Sequence, residues 1–218
     1  MSQRTVEEYL ESIGALEERD SPVSTTSIAQ SMGVSLASAS EMLRRLAEKG
    51  LVEHTPYGGA ILTGEGRRRF LRLTRRHRLW EVFLNKHLGI GWEDVYHHAC
   101  SLEHATTDLV VEKLAEFLGN PEFCPHGSPI PKSNLKRPEK TGVTLADLKV
   151  GQSARMLSVI GESNSELLHH LSSLGLRPGS TVKILEKASF DGTLTIEINN
   201  TTKAIGTEAA SLIIMAPL

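Results

Sequence analysis

Cys100, Glu103 and His104 stand at i, i+3 and i+4. On a helix that spacing puts a thiolate, a carboxylate and an imidazole on one side. His77 and Glu81 are spaced i, i+4, and Glu8 and Glu11 i, i+3. These are the donor groups of divalent transition metals, and three such clusters on helices that pack together can converge on one cation. Cys124-Pro125-His126 adds two ligand types in a segment stiffened by proline. Each motif alone has a plainer reading: an i, i+4 His/Glu pair is usually a surface ion pair, and Cys-Pro-His a loop turn with a buried thiol. Their combination in one chain favours metal binding. The sequence carries no HExxH, no Gly-rich phosphate loop and no Ser or Cys nucleophile with an obvious base, so it does not read as an enzyme.

Helices must hold these clusters, and the apolar periodicity supplies them. Val6, Tyr9, Leu10, Ile13 and Leu16 predict a first helix over 5–19. Ser24 or Thr25 can cap a short helix to Met32, Gly33 turns the chain, and Ser35 can cap a third helix with the stripe Leu36, Ala39, Leu43 and Leu46. Leu51–His54 and Ala60–Leu62 flank Tyr57-Gly58-Gly59 as a small hairpin. A long helix over 65–88 follows, then helices over 92–101 and 103–118. Five prolines between Gly119 and Gly142 forbid a continuous helix and predict a linker or extended arm. Beyond it, strand-like runs at 154–160, 181–186, 193–198 and 212–215, with a helical piece at Ser165–Leu174, predict a small β module, most simply a barrel.

The second and third helices have helix-turn-helix proportions, and the hairpin after them reads as a wing. Ala37, Ser38, Ser40, Glu41, Arg44 and Arg45 are assigned to the face that meets DNA. Small residues admit the helix end to the groove, Ser and Glu can bond base edges, and the arginines can reach phosphate. Thr25 and Thr26 can donate to a phosphate at a helix N-terminus, Ser35 opens the reading helix, and Tyr57 tips the wing. The net charge of −2 hides a pattern. Residues 41–80 carry ten Lys/Arg against four acids, whereas 81–128 carry two against eight. A basic band beside an acidic, His-bearing one suits a polyanion on one side and cations on the other. No apolar run is long enough to cross a bilayer, no secretory leader opens the sequence, and two cysteines are too few for a disulfide scaffold. A cytoplasmic protein with free thiols is expected.

Arg76-His77-Arg78-Leu79-Trp80-Glu81, Ala99-Cys100-Ser101-Leu102-Glu103-His104 and Pro125-His126-Gly127-Ser128-Pro129-Ile130-Pro131, in this order of elements, resemble the diphtheria toxin repressor family of metal-dependent regulators over residues 5–131. The last part resembles the SH3-like, FeoA-type domain of many members. The resemblance implies a winged helix-turn-helix domain over 1–75, a helical metal-binding and dimerisation domain with its Pro-rich arm over 76–140, and an SH3-like β-barrel over 141–218. It implies a homodimer that binds a palindromic double-stranded operator when loaded with Mn²⁺ or Fe²⁺, with Zn²⁺ or Co²⁺ as substitutes in vitro, and represses metal-uptake genes.

By the same resemblance, Cys100, Glu103 and His104 fall on the primary-site trio, Glu8 on the first-helix ligand and Glu11 on a carboxylate of the manganese branch. His77 and Glu81 match ancillary ligands. Cys124 and His126 match a second site of streptococcal relatives that Glu81 and a residue of the last domain complete, with Glu162 and Glu166 as candidates. Tyr96 stands where the iron branch has an ancillary His. The set mixes a hard carboxylate at 8 with a soft thiolate at 100, and the balance leans to Mn²⁺. The competing readings are a winged-helix regulator answering to an organic ligand, a metal-dependent nucleic-acid hydrolase, and an adaptor that binds partners through the β module.

Overall fold

The computed structural model describes residues 2–18, 20–55, 58–136 and 141–218. Two compact units emerge: residues 1–76 with 103–106 and 131–136, and residues 77–102 with 107–130 and 137–218.

In the first unit, α1 (Gln3–Glu17), α2 (Thr25–Met32) and α3 (Leu36–Glu48) each begin at a serine. Ser2, Ser24 and Ser35 accept from the backbone N–H three residues on, at 3.0–3.1 Å, which satisfies a donor that the helix itself leaves open. α2 ends at Gly33, whose φ of 63° is the left-handed turn into α3. Leu10, Ile13, Ile28, Leu43, Leu46 and Leu51 are fully buried together. The α3 stripe is Ala39, Met42, Leu43 and Leu46, so Leu36 is a correction: it is 55% exposed at the first helical position. There the chain has only just entered the bundle, and its side chain has no neighbouring turn to pack beneath. β1 (Val52–Thr55) and β2 (Gly59–Leu62) pair antiparallel as the wing. The buried Glu17 carboxylate accepts from Leu62 N–H at 3.0 Å and pairs with Arg67 at 2.8 Å, fastening α1 to the wing and to the start of α4 (Gly64–Leu88).

The second unit holds the rest of α4, α5 (Val95–Glu103) up to Leu102, and α6 (Asp108–Phe117). The expected boundary between the last two shifts. α5 runs on to Glu103, and Thr107, extended at ψ 157°, opens α6. The Pro-rich stretch is an arm, and its first half is packed rather than free: Cys124 and Ile130 join Leu79, Val82 and Val111 in one apolar cluster. The last part is a six-stranded antiparallel sheet in the order β3 (Val143–Thr144), β8 (Ile213–Pro217), β4 (Ser153–Val159), β5 (Thr181–Lys187), β6 (Leu194–Ile198), β7 (Thr201–Ile205). α7 (Ser165–Leu174) covers its core, and α8 (Thr207–Ser211) precedes β8. Register shifts at Met156/Ser158 and Ile184/Glu186 bend it. The expected closed barrel is absent among the described residues: β3 and β7 are free edges of an open sheet. β3 pairs through only two residues, too few to close a barrel. Among the described residues no helix is long and apolar enough to cross a membrane.

Candidate metal centre and nucleic-acid interface

In the second unit a run of donor groups lies along α4, α5 and the arm. Helical spacing on α4 brings His77 Nε2 to 3.2 Å from Glu81 Oε1, and His77 Nδ1 lies 3.9 Å from Cys100 Sγ of α5. The arm supplies the rest. Its Cys124–Gly127 turn, closed by Gly127 N–H donating to Cys124 C=O at 2.8 Å, places His126 Nδ1 3.0 Å from the same Glu81 oxygen. Glu81, Cys124 and His126 each offer a donor atom within 4.8 Å of the others, and all three are buried. The neighbours of His126 orient it. Nε2 donates to Trp92 C=O at 2.6 Å, and its own carbonyl accepts from Val159 N–H at 3.2 Å.

The charges follow from burial and pairing. Burial works against the Glu81 carboxylate, but His77 and His126 outweigh it and hold its pKa well below the usual range. Burial likewise opposes a charge on His126, but the bond to Glu81 prevails and raises its pKa. Burial, with Glu81 and Glu162 adding to it, pushes the Cys124 thiol well up. Glu81 Oε2 is buried without a hydrogen-bond partner, a deficit of about 1–3 kcal/mol for a lone acceptor. A divalent cation fits here on two counts: the orphaned carboxylate oxygen, and a donor set of carboxylate, imidazole and thiol.

Glu162, expected as a ligand from the last domain, stands close enough to Cys124 and His126 for its charge to raise both, and its oxygens are engaged. It pairs with Arg78 at 3.0 Å and accepts from Ser128 Oγ at 2.7 Å, while Arg78 also donates to Pro129 C=O at 2.7 Å. Burial opposes the Arg78 charge, but Glu162 first, then Cys124 and Glu81, more than offset it. Glu166, in the first turn of α7, is exposed and outside every donor cluster described. Its helix turns it to solvent.

In the first unit Glu11 of α1, Glu103 and His104 form another donor cluster within 4.8 Å. His104 Nε2 lies 3.4 Å from Glu103, and its Nδ1 2.8 Å from Glu7. Sequence reasoning missed Glu7, the immediate neighbour of the Glu8 that it chose. Glu8 instead pairs with Arg4 at 2.9 Å, one turn back on its own helix. Only the side of α1 that packs inward distinguishes the two, and spacing alone does not separate adjacent glutamates.

The reading face of α3 is exposed as expected: Ser35, Ala37, Ser38, Ser40, Glu41, Arg44 and Arg45 all face solvent, as does Thr26, with Thr25 half-buried. Glu41 holds both arginines, at 2.9 Å to Arg44 and 2.8 Å to Arg45, and their hydrogen bonds lower its carboxyl to about 2. Arg44 also pairs with Glu48. The two arginines are therefore preset by acids rather than idle. Tyr57 lies outside the described residues. Of the arginine run, Arg67 pairs with α1, Arg68 and Arg69 with Glu65, and Arg75 donates to Pro131 C=O at 2.9 Å.

Three family models match the chain: "Iron dependent repressor, N-terminal DNA binding domain" over residues 1–60, "Iron dependent repressor, metal binding and dimerisation domain" over 63–132, and "FeoA domain" over 143–217. A diphtheria toxin repressor of Corynebacterium efficiens is 32% identical over 192 residues, covering 84% of each chain. Among solved structures, a manganese-dependent transcriptional repressor in complex with manganese superposes with a TM-score of 0.90 at 34% identity, covering 98% of this chain and 100% of that one. ScaR with bound Cd²⁺ does so with a TM-score of 0.85 at 31% identity, covering 98% and 99%.

Proposed function

The chain belongs to the iron-dependent repressor family, and from that premise we infer that it is a metal-dependent, DNA-binding transcriptional repressor of metal homeostasis that answers to Mn²⁺ or Fe²⁺. Three parts divide the work: 1–75 reads DNA, 76–140 holds metal and pairs subunits, and 141–218 is an FeoA-type module built on the SH3-like plan with its sheet left open. The buried, orphaned oxygen of Glu81 beside Cys124 and His126 is the observation that carries the metal reading.

One cation position is assigned to Glu81, Cys124 and His126, and another to Glu11, Glu103 and His104, with Cys100 one helical turn before Glu103. Bound there, a cation supplies positive charge that cancels the repulsion among these acids. The residues do the rest. His126 keeps Nε2–H on Trp92 C=O, which directs Nδ1 toward Glu81 and Cys124. Glu11 belongs to the helix that leads into the reading head, and Glu103 and His104 to the end of α5. Drawing these groups together fixes α1, and with it the placement of α2 and α3. Metal thus shifts the population toward the DNA-competent arrangement. The exposed α3 face enters the major groove, and two copies match the half-sites of a palindromic operator.

The apolar face of Leu109, Val110 and Phe117, which are 71, 45 and 64% exposed, is assigned to the second copy, since it lies within the segment that matches the dimerisation model. Selection of operator fragments in Mn²⁺, followed by binding titrations with Mn²⁺, anaerobic Fe²⁺ and Zn²⁺, tests the reading. Retention is expected with metal and loss on chelation, with weaker response for Cys100→Ala, Glu11→Ala and His126→Ala. Operator binding that survives chelation unchanged overturns it.

A further inference from the structure

We propose that Glu81, besides its place beside Cys124 and His126, is the positioning residue that presents His77 to Cys100. The inference rests on the metal reading above and extends it to a residue that serves two positions at once. A carboxylate only accepts hydrogen bonds, so at 3.2 Å His77 Nε2 is the donor and Glu81 Oε1 the acceptor. With Nε2 held on Glu81, the ring turns its other nitrogen, Nδ1, toward Cys100 Sγ at 3.9 Å. An imidazole whose far nitrogen is held by a carboxylate has its tautomer and ring direction fixed for ligation.

The surroundings of both residues are tight. Glu81 is fully buried, His77 is 6% exposed, and the Tyr96 ring packs on the imidazole with centroids 4.6 Å apart. Oε1 serves both imidazoles, His77 at 3.2 Å and His126 at 3.0 Å, and Oε2 is left for the cation beside Cys124. The two oxygens therefore divide the two roles. Loss of Cys124 should disturb one position, whereas loss of the acceptor at residue 81 should disturb both.

The full-length chain titrated with Co²⁺ tests this, read by the near-ultraviolet thiolate-to-cobalt charge-transfer band, with circular dichroism as a control for folding. In a Cys124→Ser background only Cys100 contributes a thiolate. There, Glu81→Met keeps the side-chain length but removes the acceptor, and is expected to weaken Co²⁺ at Cys100 about tenfold. Glu81→Gln keeps an acceptor oxygen for His77 Nε2–H and is expected to stay within about threefold of the background. In a Cys100→Ser background both substitutions are expected to abolish the Cys124 band, because neither provides an anionic ligand. An unchanged Cys100 band in Glu81→Met overturns the proposal, as does equal weakening by Met and Gln; in either case the bands of the unmutated chain leave the metal reading intact. No charge-transfer band in the unmutated chain overturns both.

Discussion

Glu7 and His104 show what a single pair of atoms adds to a ligand set. His104 Nδ1 lies 2.8 Å from the Glu7 carboxylate, with both side chains only 12–13% exposed. Nδ1 is therefore the donor, and Nε2, 3.4 Å from Glu103, is the nitrogen left for a cation. A carboxylate behind a metal-binding histidine is worth about 10–100-fold in affinity. Glu7→Ala is accordingly expected to weaken Mn²⁺ binding by at least about tenfold, with Glu7→Gln intermediate because an amide oxygen still accepts from Nδ1–H. Isothermal titration against the chain with Cys124→Ser, which removes a ligand of the other position, measures it; affinities equal to the parent's would remove Glu7 from the design. At this scale the spacing in the sequence anticipated which donor groups come together. Cys100, Glu103, His104, Cys124 and His126 all lie in donor contacts. Neighbours it does not separate: Glu7 and Glu8 differ by about 100° around α1, and the packing of α1 decides that Glu7 meets His104.

Among the elements, the Pro-rich arm changes meaning most between sequence and structure. Its prolines exclude a regular helix or central strand, yet nothing in the composition shows that Cys124, His126 and Ile130 are buried. That burial comes from partners far along the chain: Val159 N–H on the His126 carbonyl, and Glu162 against Arg78 and Ser128. Gly127 is the hinge of this packing. Its φ is +79°, and a Cβ there would stand 1.9 Å from Leu157 C=O. Gly127→Ala thus combines a left-handed backbone, about 1–2 kcal/mol for an alanine, with an overlap that only movement of the arm relieves. A loss of at least about 2 kcal/mol is expected, lowering Tm by about 4–8 °C for a chain of this size. Because the Trp92 ring lies 5.7 Å from His126, tryptophan emission should shift as well. A Tm within 1 °C of the parent's, as roughly the noise of such melts, would mean that the arm is not fastened as described. The helices, by contrast, were readable because serine caps and apolar stripes mark both ends and faces. Leu36 and the α5–α6 boundary escaped because first-turn residues satisfy the same periodicity whether buried or not.

For the whole molecule, the helix-turn-helix proportions and the motifs that resemble the diphtheria toxin repressor family carried the functional class, while the closure of the last domain and the pairing of subunits depend on contacts that no local pattern encodes. The exposed face of α6 makes the pairing testable. Leu109, Val110 and Phe117 present large apolar side chains to solvent, and the Phe117 ring lies tilted beside Phe83 and His87, with centroids 6.1 and 5.0 Å away. Burying one such side chain against a second copy is worth about 1.5–3 kcal/mol, so two to three of them per subunit make a dimer dependent on this face. A carboxylate set into it would be desolvated without a partner in the paired state but fully hydrated in the monomer. Leu109→Asp together with Phe117→Asp is expected to yield monomers in sedimentation velocity with the helical signal intact, since Leu109 is 71% and Phe117 64% exposed in the single subunit. DNA binding should then fall far more than metal binding. Each reading head would retain its cation-held geometry, but the second half-site would lose the effective concentration that tethering supplies, a factor of about 10²–10⁴. Mn²⁺ affinity should stay within about threefold, because the assigned ligands all lie within one chain. A double variant that remains dimeric, or one that loses metal as steeply as DNA, would place the subunit contact elsewhere on the molecule.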